Sequence, residues 1–229
     1  MSKSAPKMAR ADPAGFIRAN TDLMAPPLAP EIDLHLASEA QPIWLATEAD
    51  LDEYGLPPPY WAFAWAGGQA LARYILDHPH EVRDRRVFDF ASGSGLVAIA
   101  AVLAGASAVV ANDIDPFALT AIALNAEANG VSITTESRDM IGQPLRDHDV
   151  ILAGDVCYEQ PMADLTMAWL RERAASGQSV LLGDPGRAYL PKTGPKSGMD
   201  WVIRYGILES GPLEDTDARN AIVWRVAPG

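Results

Sequence analysis

Val87-Phe88-Asp89-Phe90-Ala91-Ser92-Gly93-Ser94-Gly95 begins as a short apolar strand and ends in a turn spaced by glycines. Leu96–Leu103 follows and is apolar at every position, the pattern of a helix buried on all sides. Gly105 ends that helix, and residues 108–111 form a second apolar strand closing on Asn112-Asp113. Strand, glycine turn, buried helix and strand make one unit of a parallel α/β sheet with a right-handed crossover.

Downstream the rhythm continues. Asp115 as N-cap and Pro116 at the first helical position open a helix through Leu119, Ile122 and Leu124, with Gly130 just past its end. A third strand is expected over residues 131–135, a fourth over 150–154, a helix around 165–173 and a fifth strand at 180–182. About a dozen residues separate the third and fourth strands, so the crossover helix there shrinks to a turn or is absent. Two further β-like runs, 201–208 and 221–226, have no helix between them and predict a terminal β-hairpin with at least one antiparallel strand.

Upstream the sequence is less regular. Residues 1–12 read as a flexible tail. Pro13 opens a short helix with Phe16, Ile17 and Leu23 as its apolar positions, stopped by Pro26-Pro27. Ile32, Leu34 and Leu36 alternate with Asp33 and His35 as in a strand, and Thr47 with Asp50 resembles the capping box of a short helix ending at Gly55. Pro57-Pro58-Pro59 leads into Tyr60-Trp61-Ala62-Phe63-Ala64-Trp65, then Gly67-Gly68 and a helix carrying Leu71, Tyr74, Ile75 and Leu76. Residues 1–60 are taken as tail and N-terminal extension, and 61–229 as the catalytic domain.

Composition removes several function classes. The 229 residues carry 18 Lys plus Arg against 30 Asp plus Glu, a net charge of −12. Nucleic-acid binding needs a basic face, so it is disfavoured. The acidity serves solubility, or draws a lysine-bearing partner. The only lysines are Lys3, Lys7, Lys192 and Lys196, which leaves no P-loop lysine and no core lysine for a Schiff base. A single cysteine, Cys157, and scattered histidines disfavour a disulfide framework or a zinc site, so no metal is expected. Without a long apolar run or signal core, a soluble cytoplasmic protein is expected, without membrane association, and a monomer.

In a doubly wound sheet, ligands lie beyond the carboxyl ends of the strands. Gly93 and Gly95 would let the backbone approach a ligand beneath a helix N-terminus, and Asp113, 20 residues on, ends the next strand where a carboxylate can accept two ribose hydroxyl protons. Gly93-x-Gly95-x-x-Ala98 also fits a permissive dinucleotide fingerprint. Asp89, however, would repel a pyrophosphate and not the cationic methionine end of S-adenosylmethionine (SAM). The terminal hairpin also suits a seven-stranded methyltransferase sheet. At the end of the fourth strand, Asp155 would overlook the reacting centre and Tyr158 would wall an approaching amine; an N-cap and core packing are their ordinary alternatives.

Asp155-x-x-Tyr158 joined to the 89–95 loop resembles the seven-β-strand protein methyltransferases with an Asp/Glu-x-x-Tyr/Phe motif, mostly lysine methyltransferases. Pro59-Tyr60-Trp61-Ala62, Trp65-Ala66-Gly67-Gly68-Gln69-Ala70-Leu71, Ala111-Asn112-Asp113-Ile114-Asp115-Pro116 and Gly183-Asp184-Pro185-Gly186-Arg187 narrow the resemblance to the branch acting on the electron transfer flavoprotein β subunit. It covers residues 55–190 well. The resemblance implies a Rossmann-like seven-stranded sheet with helices on both faces, SAM as cofactor, S-adenosylhomocysteine as product, and that β subunit as protein substrate. It assigns Asp89, Gly93 and Gly95 to the methionine end, Asp113 to the ribose and Asp139 to adenine. Asp155 and Tyr158 place the lysine, Trp65, Gly67, Gly68 and Gln69 belong to a cofactor lid, and Asp184 and Arg187 border the substrate mouth. Arg187 could instead form a structural ion pair. Methylation of another protein or of a small amine is the enzymatic alternative, and an NADP-dependent reductase a more distant one. Ala91 replaces a glycine common in the family motif, which is tolerable if residue 91 stays extended.

Overall fold

The computed structural model describes residues 12–38, 43, 57–192, 198–207 and 220–228. Its centre is a seven-stranded sheet. In chain order the strands are β3 (Arg86–Phe90), β4 (Ala108–Asn112), β5 (Thr134–Glu136), β6 (Val150–Gly154), β7 (Ser179–Asp184), β8 (Met199–Gly206) and β9 (Asn220–Val226). Their spatial order is β5-β4-β3-β6-β7-β9-β8. The first five run parallel, whereas β9 pairs antiparallel with both β7 and β8. The terminal hairpin expected from the missing helix is present. β4 and β6 flank β3 on opposite sides, so the chain reverses its direction of travel across the sheet there, opening a crevice above the carboxyl end of β3.

Alternate residues of the parallel strands feed two cores. Val87, Val150, Leu152 and Leu181 face α2 (Ala66–Asp77) and α3 (Leu96–Leu103), and Ile122 of α4 (Pro116–Ala128) joins the same cluster. Phe88, Phe90, Ile151, Ala153, Val180 and Leu182 face α5 (Met162–Ala175), which buries Met167, Trp169 and Leu170 against them. A parallel sheet covered on both sides needs continuous apolar runs, as these strands have. Asp115 caps α4 by accepting from the Phe117 amide at 2.9 Å. Among the described residues, the link from β5 to β6 contains turns and no helix, as its length predicts.

The N-terminal segment is packed onto this body. Asp12 caps α1 (Pro13–Asn20), accepting from the Gly15 amide at 2.8 Å. Leu23 lies not in that helix but, exposed, in β1 (Asp22–Met24), which pairs antiparallel with β2 (Leu34–Leu36). Thr21 ends α1 in extended conformation, five residues before the expected stop at Pro26. Ile17, Ile32 and Leu34 are fully buried. The third strand of the main sheet also differs, spanning Thr134–Glu136 instead of 131–135. The tail up to residue 11 and the capping box at Thr47 and Asp50 lie outside the described residues. No helix among the described residues is long and apolar enough to cross a membrane.

Candidate active site

The strand ends β3, β4, β6 and β7 bring the sequence-derived residues to one rim. After β3 the chain turns sharply: Ala91, Gly93 and Gly95 have φ of 51°, 56° and 83°. Ala91 is therefore left-handed, not extended; its exposed methyl group meets no packed neighbour, and the strain lies in its own backbone. The Ser92 amide donates to the Asn112 carbonyl at 2.9 Å, tying the turn to β4. Asp113 accepts from the Gly93 amide at 2.9 Å and the Asp115 amide at 3.0 Å, which sets its half-buried carboxylate beside the turn. Burial raises this carboxyl above its usual range, with the amides pulling it back.

Asp89 is 1% exposed. Its carboxylate accepts from the Ser92 hydroxyl and from the Ala98 amide at the start of α3. Burial pushes it up to about 7, against the opposing effect of those donors. It thus shapes the glycine turn from beneath. A Cβ placed on Gly93 would meet the Tyr60 carbonyl at 3.9 Å, an ordinary van der Waals contact. The glycine turn and the Tyr60 segment therefore face one another across a narrow cradle. Asp139 is exposed beyond β5, accepting from the Ile141 amide at 3.0 Å.

One residue not singled out from sequence holds this turn. Asn125, fully buried inside α4, donates to the Ser94 carbonyl at 2.7 Å and accepts from the His35 amide of β2 at 2.7 Å. It joins the N-terminal ribbon to the glycine turn. An asparagine inside a helix gives no pattern that distinguishes this from an ordinary exposed position.

The second half of the site is built on close backbone contact. Gly67 and Gly68 open α2 directly against β6 and β7. A Cβ on Gly67 would come within 2.6 Å of the Gly183 carbonyl carbon and of Asp155 Oδ2, and one on Gly154 within 2.9 Å of Gly68 Cα. Gln69 is buried, donating to the Ala64 carbonyl at 2.6 Å and accepting from the Leu28 amide at 3.2 Å. These three residues form the joint between α2 and the sheet.

Asp155, at φ 56°, presents both oxygens to this joint. Oδ2 accepts from the Gly68 amide at 2.8 Å, and Oδ1 accepts from Arg187 Nε at 3.1 Å and Nη2 at 2.9 Å. The helix N-terminus and the guanidinium suit a carboxylate there. Burial nevertheless raises its carboxyl above the usual range, opposed by Arg187 and the amides. The Arg187 guanidinium also lies 5.3 Å above the Trp65 ring. Trp65 Nε1 donates to the Tyr60 carbonyl at 2.8 Å. Tyr60 packs against Trp65 at 6.0 Å and Tyr158 at 5.5 Å between ring centroids. Tyr158 is 39% exposed and faces solvent, so Tyr60, Trp65 and Tyr158 form an aromatic wall from Arg187 to the surface.

Asp184 departs from its expected place at a mouth. It is 0% exposed, accepting through Oδ1 from the Gly186 and Arg187 amides, both at 2.7 Å. It shapes the 184–187 turn that aims Arg187. Burial, then the Asp155 charge, raises it to about 6. Cys157 is buried, and burial beside Asp184 and Asp155 drives its thiol up to about 12, far from a reactive thiolate. Among the described residues, no group of three His, Cys, Asp or Glu side chains could hold a metal ion.

Comparison with known proteins agrees with this architecture. Residues 70–179 match the model of the ribosomal protein L11 methyltransferase (PrmA) family. The electron transfer flavoprotein beta subunit lysine methyltransferase of Xenopus laevis is 38% identical over 218 residues, covering 94% of this chain and 87% of that protein. Its Homo sapiens counterpart is 37% identical over 216 residues, covering 93% and 81%. The chain belongs to this lysine methyltransferase family. Among solved structures, the magnesium protoporphyrin IX methyltransferase of Synechocystis with bound SAM superposes with a TM-score of 0.51 at 17% identity, covering 72% of this chain and 80% of that one. The same enzyme with bound SAH gives 0.51 at 16%, covering 71% and 83%. At that identity the likeness concerns the fold. It puts this member of the lysine methyltransferase family on a methyltransferase sheet.

Proposed function

We propose that this chain transfers methyl groups from SAM to lysine side chains of the electron transfer flavoprotein β subunit. The observation that carries the reading is the facing pair of half-sites. A glycine turn with Asp113 at the ends of β3 and β4 stands beside the Asp155–Tyr158 segment at the end of β6, in a chain of this family. What supports the cofactor reading is the left-handed glycine turn at Gly93 and Gly95, with a half-exposed carboxylate at Asp113 beside it and the Tyr60 carbonyl opposite. Gly93, Gly95 and Asp113 would hold the cofactor directly, with Asp139 at its adenine end and Asp89 supporting the turn. Trp65 would wall the cradle, and Gly67, Gly68 and Gln69 would fix that wall to the sheet.

SAM supplies an already activated methyl group, so the chain must position a lysine nitrogen and receive it uncharged. Positioning of this kind is worth roughly 7–11 kcal/mol in favourable cases. Tyr158 and Tyr60 would flank the lysine stem, while Asp155 acts from beneath, holding α2 and Arg187 in place. Asp184 and Arg187 serve the substrate side, Asp184 by fixing the turn. We take residues 61–229 as the catalytic domain of a monomeric cytoplasmic enzyme and residues 1–60 as its tail and N-terminal extension; the acidic balance of −12 suits a lysine-bearing partner. Titration calorimetry with S-adenosylhomocysteine and with NADPH tests the cofactor: binding of the former alone is expected, and binding of NADPH alone contradicts the reading. Tyr158→Ala should lower methylation at least tenfold while leaving S-adenosylhomocysteine affinity within about twofold.

A further inference from the structure

Both oxygens of Asp155 are engaged before an ammonium arrives. Oδ2 is held by the Gly68 amide and Oδ1 by two guanidinium nitrogens of Arg187. Arg187 is itself fixed from three sides: its amide by Asp184 Oδ1, its guanidinium by Asp155, and its face by Trp65. Its side chain is only 16% exposed. A lysine reaching along Tyr158 and Tyr60 would thus meet a built cation in front of the carboxylate. Placed alone beside the lysine, a carboxylate would favour the ammonium, which cannot attack a methyl group.

We propose that Arg187 is a positioning residue for protonation: by masking Asp155 and presenting its own charge, it makes the site accept the substrate lysine as the neutral amine. This rests on the lysine methyltransferase reading of the same site. The proton leaves to water before the nitrogen lone pair is used, so no base in the protein is required. The charged and titratable groups around the pair are few. The β7 turn supplies Asp184 and Arg187, and the segment after β6 supplies Cys157, Tyr158 and Glu159. Tyr60 precedes α2, whose first turn offers the Gly67 and Gly68 amides, Asp113 faces Tyr158 from just past β4, and α5 sets Asp164 and Arg171 against Cys157. Burial holds Cys157 and Tyr158 neutral, each up to about 12, and among the described residues Arg187 is the cation that acts on Asp155 itself, Arg171 acting on Cys157.

The experiment uses the full chain, SAM and purified electron transfer flavoprotein, with kcat/KM followed from pH 6 to 10. Arg187→Gln should move the rising limb up by about one pH unit and lower the neutral-pH rate about tenfold, and Arg187→Lys should restore most of it. Asp155→Asn, which removes the masked negative charge but keeps the side-chain shape, should move the limb the opposite way. A second readout is independent of turnover. Calorimetry of flavoprotein binding to the S-adenosylhomocysteine complex, in buffers of different ionisation enthalpy, should show proton release that falls in Arg187→Gln. Unchanged limbs and unchanged proton release in both variants overturn the proposal. So does a lower KM in Arg187→Gln, which would mark Arg187 as a plug displaced by the substrate. Failure of the unaltered chain to methylate the flavoprotein would instead overturn the function on which it rests.

Discussion

Gly67→Ala and Gly68→Ala make a matched test of how α2 is joined to the sheet. The residues are adjacent in one helical turn, and the family resemblance assigns both to a cofactor lid. A methyl group on Gly67 would lie 2.6 Å from the Gly183 carbonyl carbon and 2.6 Å from Asp155 Oδ2, and closer still to the Gly183 carbonyl oxygen; ordinary contacts are 3.4–4 Å. Neither Gly183 nor the N-terminus of α2 can yield without separating the helix from β6 and β7. Overpacking of this kind costs about 1–3 kcal/mol, and the shift also lengthens the Gly68–Asp155 hydrogen bond, adding about 1 kcal/mol. On Gly68 the methyl group meets nothing within 4 Å, and alanine gains up to about 1 kcal/mol of helix propensity. The same propensity gain applies at Gly67, so urea unfolding should place Gly67→Ala about 1–4 kcal/mol below the parent chain, a fall in Tm of roughly 2–16 °C for a protein of this size, with Gly68→Ala at or above it. Equal losses in the two variants, or a Gly67→Ala loss under about 0.5 kcal/mol, would refute the close-contact account.

Three further outcomes follow from the same geometry. Ala91→Gly should raise stability by about 0.5–1 kcal/mol, because the left-handed φ of 51° strains alanine by more than glycine adds in unfolded-chain entropy; a loss in urea unfolding would contradict the strain. Asn125→Ala leaves the Ser94 carbonyl and His35 amide without that partner, so it should cost roughly 2–4 kcal/mol and weaken S-adenosylhomocysteine binding severalfold, and parental affinity in calorimetry would disprove the tether. Asp89, held up to about 7, binds a proton in the folded chain that the unfolded chain has lost above about 4. Its stabilising protonation is present at low pH and is lost as pH rises through 7. From pH 5.5 to 7.5 the parent should therefore lose about 2 kcal/mol more than Asp89→Asn, and parallel profiles would sink the assignment.

The sheet and most helices were legible because their signals are local. Leu96–Leu103 and Asp115-Pro116 carry their own apolar pattern and cap, and the strand ends carry Asp89, Asp113 and Asp155 at fixed offsets from apolar runs. The missing helix before β6 was legible from chain length alone. What was hidden depends on residues distant in sequence. Asp155 and Arg187 are 32 residues apart, and nothing local says that they pair. The close contacts of Gly67 and Gly68 were not legible because the surfaces that require them, Gly183 and Gly154, lie on other strands. Asp184 was placed only by resemblance, at the border of the substrate mouth, and its burial follows only once β7 is central between β6 and β9. Leu23 was misplaced since a three-residue strand has too little periodicity to compete with a helical pattern. Ala91 could be read only from the turn it completes, whose φ no side chain announces.

The most direct measurement is mass spectrometry of electron transfer flavoprotein after incubation with this chain and SAM. The account predicts β-subunit lysines heavier by whole methyl increments, with the modification abolished or strongly reduced by Tyr158→Ala. An unmodified β subunit, under conditions where the chain is folded and binds S-adenosylhomocysteine, would contradict it.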